Sequence, residues 1–136
     1  MEIKKVEFKN VKFFEQDWKH ADSEHDLPWE NEEKEVYFLY DNENPVAYMI
    51  LKFQGGVCDL NEFLVKKEHR KKGIGKILIK ESEKLAVNRG CHKLRIKTSE
   101  KHIIALEFYK KLGYEIEAEL KNDKFKINWY ILSKRL

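Results

Sequence analysis

The sequence predicts an α+β fold, with a mixed and mainly antiparallel sheet of six or seven strands flanked by about four helices. Short runs of alternating or continuous apolar residues, which are typical of strands, recur between turn residues along most of the chain. Two longer segments, one beginning at Ile74 and one covering residues 101–112, instead have apolar residues at helical spacing and a glycine just beyond their ends. The first of these helices lies between two predicted strands, so it can connect them in parallel by a right-handed crossover.

Length and composition indicate one folded domain that covers residues 1–136. Hydrophobic residues make up 42% of the chain and aromatic residues 12%, which excludes a disordered chain although 38% of the residues are charged. No apolar run approaches the roughly 18 residues of a membrane helix, and residues 1–18 lack the apolar core of a signal peptide. Cys58 and Cys91 have neither metal-ligand nor disulfide-scaffold spacing. We therefore expect a cytoplasmic protein with reduced thiols, no metal site and no membrane contact.

Charge is divided unevenly along the chain. Residues 1–65 contain 7 lysines, no arginine and 15 acids, a net charge of −8, whereas residues 66–136 contain 20 lysines and arginines and 9 acids, a net charge of +11. An acidic half and a basic half on one domain favour two binding surfaces of opposite preference. Two solvated faces without a binding role are the alternative, which charge alone leaves open.

The first half of the chain predicts a strand, an acidic segment and then a meander. Residues 2–8 form the first predicted strand. Residues 10–34 are expected to be helical or irregular, because Pro28 breaks any continuous helix there. Three antiparallel strands joined by short turns follow, at residues 36–40, 45–53 and 57–65.

A basic loop and two glycines separate the last meander strand from the first long helix. Cations crowd residues 66–72, and no Ser, Thr, Asp or Asn occupies the N-cap position of the helix. A helix N-terminus carries unpaired amides and a partial positive charge, so these cations repel it unless an anion binds there. Gly73 and Gly75 allow a ligand to approach the main chain closely. The sequence therefore predicts a phosphate-binding loop, with a solvated basic turn as the alternative.

The second half predicts alternating helices and strands. The first helix is expected to place its apolar residues close to one face: Ile74, Ile77, Leu78, Leu85 and Ala86. Residues 92–98 then form a strand that can run parallel to residues 57–65. The second helix has one apolar face, formed by Ile104, Ala105, Phe108 and Leu112. Two antiparallel strands complete the predicted sheet, at residues 114–120 and 125–133.

The glycine spacing of this loop differs from the motifs of two common nucleotide-binding sites. A P-loop requires G-x-x-x-x-G-K-[ST], which the chain lacks. A dinucleotide site requires a third glycine, where this chain has Leu78. The pattern that remains is R-x-x-G-x-G, from Arg70 to Gly75.

A second motif, A-L-E-F-Y-K-K-L-G-Y, runs from Ala105 to Tyr114. The order of strand, R-x-x-G-x-G, amphipathic helix, strand and A-x-x-F-Y-x-x-x-G-Y resembles the GNAT superfamily of acetyl-coenzyme-A-dependent N-acetyltransferases. The resemblance covers residues 35–136, with the motifs in residues 57–114. It implies a GNAT-like fold of acyl-CoA N-acyltransferases, in which the two central parallel strands begin paired and then splay apart around acetyl-coenzyme A (acetyl-CoA).

The resemblance also implies which residues hold acetyl-CoA. Backbone amides of residues 70–75 would bind the pyrophosphate, and the main chain of residues 63–65 would pair with the pantetheine arm near a β-bulge. His102 stands where many family members have a cofactor-contacting asparagine, so it either makes a substitute contact or that hydrogen bond is missing. The implied cofactor-binding residues are Phe63, Leu64, Val65, Arg70, Lys71, Lys72, Gly73, Ile74, Gly75, Lys76, His102 and Tyr109.

The implied reaction is direct attack of a primary amine on the acetyl thioester within a ternary complex. Tyr109 matches the general-acid tyrosine of the family in motif position. Because a tyrosine pKa of about 10 exceeds a thiol pKa of about 8.5, we expect hydrogen bonding to the leaving sulfur to matter at least as much as proton transfer. Glu62 is the candidate base, with Asp59 in reserve. Strict strand alternation would place Glu62 on the face of Leu60, and Asp59 and Phe63 on the opposite face.

Each of these side chains also has a purely structural interpretation. Tyr109 could be a core aromatic beside Phe108, and Glu62 could be an ordinary acid at the sheet edge. A lone histidine is more often structural or exposed than catalytic, which applies to His20, His25, His69 and His92.

The acceptor prediction rests on the acidic segment of residues 15–35. Its carboxylates would attract a cationic amine, which Trp18 and Trp29 could pack against, with Glu62 also contacting it. We expect a small-molecule acceptor such as a polyamine, an amino sugar or another basic amine, or alternatively a protein N-terminus or lysine. A non-catalytic acetyl-CoA-binding module is another alternative. Known RNA- and DNA-binding patterns are missing, so no nucleic-acid partner is expected, and the protein is expected to be a monomer or a homodimer.

Overall fold

The structure, a computed structural model, describes residues 1–25, 27–28 and 30–136. The chain forms two compact units, Met1–Glu30 and Asn31–Leu136. The second unit contains the whole sheet and both helices that carry the sequence motifs.

The N-terminal unit is helical. A 3-10 helix, Phe8–Phe14, leads directly into helix α1, Glu15–Glu24. The strand predicted at residues 2–8 is wrong, because residues 1–7 have no regular structure. A strand requires a neighbouring strand for its main-chain hydrogen bonds, which local propensity cannot supply.

The second unit is built on a six-stranded sheet. Its strands are β1 (Glu33–Asp41), β2 (Asn44–Gln54), β3 (Val57–Val65), β4 (Lys93–Ser99), β5 (Glu115–Leu120) and β6 (Trp129–Arg135). The spatial order is β1-β2-β3-β4-β6-β5, and in the described chain only the β3–β4 pair is parallel. The predicted mixed, mainly antiparallel sheet with a central parallel pair is confirmed.

Helices α2 (Ile74–Asn88) and α3 (Ile103–Lys111) cover the same face of this sheet. They form the β3–α2–β4 and β4–α3–β5 crossovers, which move across the sheet in the same direction, and right-handed crossovers of one direction lie on one face. With α1, the described residues contain three α-helices, together with 3-10 helices that include Lys67–His69 in the basic loop.

Most of the predicted apolar residues of both motif helices pack against the core, namely Ile74, Leu78, Leu85, Ala86, Ala105, Phe108 and Leu112, but one residue of each predicted face is exposed. In α2, Ile79 and Ser82 are buried, whereas Ile77 is exposed. Ser82 is tolerated in the core because its hydroxyl donates to the Leu78 carbonyl oxygen at 2.8 Å. In α3, Leu106 and Tyr109 face the core, and Ile104 is 86% exposed. Apolar spacing identified the helices, but their rotation about the axis depends on the strands beneath them.

A β-bulge at Asn61 reverses the faces of β3. Leu60 and Glu62 pair with consecutive residues of β2, so Asn61 is the extra residue between them. The bulge brings Phe63 to the helix-covered face with Leu60, and Glu62 to the opposite face with Asp59. The strict alternation assumed from the sequence is therefore wrong for the second half of this strand.

The last strand begins later than predicted. Residues 125–133 were expected to be extended, but β6 begins at Trp129. Phe125 and Lys126 have φ values of 61° and 58°, within a short 3-10 helix, Lys124–Lys126. Such left-handed backbone is incompatible with a strand.

Both cysteines are buried, and no disulfide joins them. Burial raises the pKa of the Cys58 thiol to about 12. A thiol that is almost wholly protonated at neutral pH is a poor nucleophile, which agrees with the structural role expected from the sequence.

We predict that native protein at pH 8 resists alkylation at Cys58. With a pKa of about 12, only about one thiol in ten thousand is ionised at that pH. The measurement is incorporation of iodoacetamide, followed by mass spectrometry, and the same protein in guanidinium chloride is the control. Modification of native Cys58 within minutes would contradict its burial.

Candidate active site

A cleft opens where the two parallel strands stop pairing. β3 and β4 pair from Val57 with Lys93 to Leu60 with Ile96, and no further. The bulge at Asn61 lies at this point. A cavity of about 1100 Å³ occupies the opening and extends to the starts of α2 and α3. The geometry agrees with the splayed strands that the family resemblance implied.

The wall formed by β3 presents unpaired main-chain groups. Lys66 N–H donates to the Val46 carbonyl oxygen at 2.9 Å, which fixes the alternation of hydrogen bonds between β2 and β3. In that alternation Leu64 pairs with β2, whereas the main-chain groups of Phe63 and Val65 point toward the cleft. Arg70 Nε already donates to the Val65 oxygen at 2.9 Å. An extended ligand can therefore pair with Phe63 and with the Val65 N–H, as an added strand would.

The start of α2 is suited to an anion. Gly73 occupies the N-cap position with φ 82°, and no side chain caps the helix. Lys71 also has a positive φ, 58°. The first turn contains no acid, so neither it nor a capping side chain offers a negative partner to the unpaired amides of the helix. Cationic or titratable side chains lining this end of the cavity are His69, Arg70, Lys71 and Lys76.

The two motif glycines have different structural roles. Gly73 is required for its left-handed backbone, and space around it is open. A Cβ on Gly75 would lie 3.2 Å from Phe108 Cζ and 3.3 Å from Phe63 Cζ. Gly75 therefore allows α2 to approach both rings, a packing role that the sequence did not indicate.

Tyr109 projects from α3 into the core beside the cavity. Its side chain is 7% exposed, and burial raises the pKa of its hydroxyl above the usual value. The ring contacts Phe108 and Tyr114, with centroids 5.4 Å and 6.3 Å away. No described residue hydrogen-bonds to its hydroxyl, and no described buried side-chain oxygen lacks a partner, so this oxygen has access to the cavity. The hydroxyl is thus available to a ligand.

Glu62 lies on β3 and lines the cavity. Tyr48 donates a hydrogen bond to its carboxylate at 3.1 Å, and this bond raises the pKa of Tyr48. Among the described residues that line the cavity, Glu62 is the only acid. Asp59, the reserve base, does not line the cavity; Arg95 binds both its oxygens, at 2.7 Å and 2.8 Å. The structure thus separates the two candidate bases.

His102 lies at the N-cap position of α3 and lines the cavity. Its Nδ1 is 3.2 Å from Ser99 Oγ and 3.5 Å from Thr98 Oγ1, and both of these residues are buried. These contacts restrain the ring at the edge of the cavity.

Most of the predicted cofactor-binding residues line the cavity: Phe63, Leu64, Val65, Arg70, Lys71, Gly73, Gly75, Lys76, His102 and Tyr109. Two do not, because Ile74 packs against the core and the Lys72 side chain is exposed. Trp18 belongs to the N-terminal unit, where it is 63% exposed. Trp29 lies outside the described residues.

Sequence reasoning missed several lining residues, chiefly Tyr48, Lys97, Lys101, Ile103 and Ile104. Tyr48 pairs with Leu64 across the β2–β3 ladder. The bulge at Asn61 shifts the register of this pairing, and local sequence does not reveal such a shift. The proximity of Lys101 to His102 along the chain could have identified it. Within the described residues, no three His, Cys, Asp or Glu side chains are grouped to hold a metal.

Comparison with known proteins identifies the family. The profile of the Acetyltransferase (GNAT) family matches residues 4–114, most of the chain. The chain belongs to the GNAT acetyltransferase family. The resemblance inferred from the two motifs is thereby confirmed, and the fold class with it.

A curated relative supports the assignment of this GNAT chain. The uncharacterized N-acetyltransferase YjcF of Bacillus subtilis (strain 168) is 33% identical over 90 residues, which are 66% of this chain and 61% of the relative. The match therefore spans less than two thirds of the relative's length.

Solved structures share the GNAT fold. An acetyltransferase from Bacillus cereus ATCC 14579 has a TM-score of 0.82 at 17% identity, over 100% of this chain and 98% of the other. A GNAT family acetyltransferase from Elizabethkingia anophelis, with acetyl-CoA bound, has a TM-score of 0.72 at 22% identity, over 76% of each chain. At these identities the likeness shows the fold. None of the described helices has the length and apolar character needed to cross a bilayer.

We predict that Glu62 controls the ionisation of Tyr48. The carboxylate accepts the hydrogen bond of the neutral phenol, so Tyr48 should ionise above the usual tyrosine pKa of about 10. Glu62→Gln should move this midpoint downward, as followed by absorbance at 295 nm during alkaline titration.

The Tyr48→Phe variant shows which part of the absorbance change comes from Tyr48. Glu68→Gln is the control, because it removes a carboxylate from the basic loop and leaves the Tyr48–Glu62 hydrogen bond intact. Identical curves for Glu62→Gln and the parent protein would show that the Tyr48–Glu62 hydrogen bond is not formed in solution.

Proposed function

We propose that this chain is an N-acetyltransferase that moves the acetyl group of acetyl-CoA to a primary amine by direct attack in a ternary complex. One observation carries the proposal: a single cavity at the cleft between β3 and β4 is lined by an uncapped, cation-rich helix start, by Tyr109 and by Glu62. Family membership supports it, as does the acetyl-CoA bound to the Elizabethkingia neighbour.

The residues present fit acetyl-CoA. Amides of residues 70–75, including those of Lys72 and Ile74, would hold the pyrophosphate, aided by the cationic side chains around them. The Phe63 carbonyl oxygen and the Val65 N–H would pair with the pantetheine amides, which leaves the Phe63 N–H for the thioester oxygen. The His102 ring would contact the cofactor in place of the usual family asparagine.

In the proposed reaction, a proton of the acceptor amine and the electron pair of the carbon–sulfur bond each go to a named group. Bound acetyl-CoA supplies a thioester carbonyl carbon, to which the amine nitrogen bonds as the carbon–sulfur bond breaks. Glu62 accepts the ammonium proton of the acceptor before attack, directly or through water. The second proton, which the nitrogen loses as the amide forms, goes to water or to the departing thiolate. A main-chain N–H of residues 63–65 stabilises the oxyanion. The Tyr109 hydroxyl donates a hydrogen bond to the departing sulfur, which takes the electron pair.

Burial favours hydrogen bonding over proton transfer as the role of the Tyr109 hydroxyl. Because burial raises the pKa of Tyr109, its hydroxyl stays protonated at neutral pH. A phenol with a raised pKa is a weaker acid than a thiol, whose pKa is about 8.5. We infer that Tyr109 stabilises the thiolate by hydrogen bonding, and that full proton transfer is secondary.

The acceptor we propose is a small cationic amine. Glu62 is the acid on the cavity wall, and a carboxylate attracts an ammonium group before it loses its proton. The acidic segment of residues 15–35, with Trp18 and Trp29, is proposed to contribute to this preference. We further propose that residues 1–136 act as one domain in the cytoplasm, as a monomer or a homodimer, with a protein amine as the alternative acceptor.

We predict that acetyl-CoA raises the melting temperature of the protein more than ATP or NAD does. A ligand at 100 times its dissociation constant adds about 2.7 kcal/mol to the free energy of unfolding. Lys76→Ala, which removes a lining cation, should reduce the shift. Lys72→Ala is the matched control, because its side chain does not line the cavity. A shift with no preference for the coenzyme would overturn the proposed cofactor.

We predict that Tyr109→Phe lowers kcat roughly tenfold to a hundredfold, the range expected when one hydrogen bond to the leaving group is lost. The KM for acetyl-CoA should change little. Thiol release is measured with spermidine, glucosamine and a lysine-containing peptide as acceptors.

Tyr37→Phe is the control, since Tyr37 hydrogen-bonds to Glu35 on β1 and does not line the cavity. Unchanged turnover in Tyr109→Phe would remove its role. Coenzyme binding without turnover of any amine would favour a non-catalytic module, and turnover of the peptide alone would favour a protein acceptor.

A further inference from the structure

A hydrogen-bond network ties the end of α3 to α2 and β6. Glu83 Oε1, on α2, accepts from the Tyr114 hydroxyl at 3.1 Å and from Lys134 Nζ, on β6, at 2.9 Å. Lys134 also donates to the Leu112 carbonyl oxygen at 3.2 Å. Lys80, which is half exposed, contacts the other oxygen of Glu83 at 3.2 Å.

Glu83 is ionised in this network. Its side chain is 14% exposed, and burial alone would raise its pKa. Hydrogen bonds from Lys134, Lys80 and Tyr114 outweigh this effect, so the pKa of Glu83 lies below the usual value. A shielded carboxylate with several donors resists displacement, because losing a donor leaves buried charge unsatisfied. The network therefore fixes the position of the Tyr114 hydroxyl.

Tyr114 is held at both ends and packs against Tyr109. Its N–H donates to the Tyr109 carbonyl oxygen at 3.1 Å, and its side chain is 2% exposed. The two rings meet edge to face, with centroids 6.3 Å apart and planes at 65°. Because no described residue hydrogen-bonds to the Tyr109 hydroxyl, ring packing is what directs it toward the cavity.

We propose that Tyr114, Glu83 and Lys134 are positioning residues that set the place of the Tyr109 hydroxyl. The proposal rests on the proposed function, in which Tyr109 stabilises the leaving sulfur. None of the three residues lines the cavity, so they act through Tyr109 and not on the ligand. A misplacement of about 1 Å can cost about 100-fold in rate, so a small release of the ring is sufficient to slow the reaction.

The kinetic test removes the Tyr114 hydroxyl and keeps its ring. Tyr114→Phe should lower kcat about five- to tenfold, as the loss of one hydrogen bond allows, with KM for acetyl-CoA unchanged. The assay is thiol release with the acceptor that turns over fastest in the screen above. Glu83→Gln keeps an acceptor for Tyr114 and should retain most of kcat. Lys84→Met, which removes an exposed cation of α2 that lies outside the network, should change neither constant.

A double variant separates positioning from general destabilisation. In a Tyr109→Phe background, Tyr114→Phe should have no further effect on kcat, because the hydroxyl it positions is already absent. An equal loss in both backgrounds would overturn the proposal. Full turnover in the single variant Tyr109→Phe would count against the proposed role of Tyr109 in the reaction. The positioning of Tyr109 by Tyr114 would then be tested by the spectroscopic experiment below.

The spectroscopic test needs no acceptor. In protein labelled with 3-fluorotyrosine, the Tyr109 fluorine signal is identified by its loss in Tyr109→Phe. This signal should shift or broaden in Tyr114→Phe, and also in Lys134→Met, which leaves both rings intact, but not in Lys84→Met. Melting temperatures confirm that each variant is folded. An unchanged Tyr109 signal in folded Tyr114→Phe and Lys134→Met would overturn the proposal.

Discussion

Parallel pairing between β3 and β4 ends after Leu60, where the bulge at Asn61 redirects the strand, and the site depends on this break. A continuous ladder would leave no room for a cavity and would occupy the main-chain groups of Phe63 and Val65. The break instead leaves polar groups without strand partners inside the domain, at a cost of about 1–3 kcal/mol for each group left unsatisfied. A ligand with amide groups can satisfy them.

Cations outnumber acids around the resulting cavity. The basic loop supplies those near the uncapped start of α2, and Lys97 and Lys101 line the cavity at β4 and just before α3, whereas Glu62 is the only acid among the described lining residues. Asp59 is close in sequence, but its pairing with Arg95 makes it part of the sheet's own charge balance. The phosphates of the proposed donor would meet the cations, and the proposed amine acceptor would meet Glu62.

The hydroxyl proposed to stabilise the leaving group has no polar partner among the described residues, so its position depends on packing. That packing in turn depends on polar contacts outside the cavity, where Glu83 connects α2 to Tyr114 and to Lys134 of β6. In this arrangement Tyr109 remains free to bind a ligand, and the ionic contacts that hold the helix lie away from the chemistry. The residues proposed to position Tyr109 are therefore distinct from those proposed to contact the ligand.

Local sequence determined the six strands to within a few residues and the two motif helices, and it indicated the loop proposed to bind an anion and Tyr109 as a proposed site residue, because turns, glycines and motif spacing act over a few residues. Tertiary structure decided the rest. The bulge set which face carries Glu62, the strands beneath α2 and α3 set their rotation, and the contact with Arg95 excluded Asp59 from the cavity. The positive φ values of Phe125 and Lys126 shortened β6. Each of these outcomes depends on residues distant in sequence, whose contacts no local pattern records.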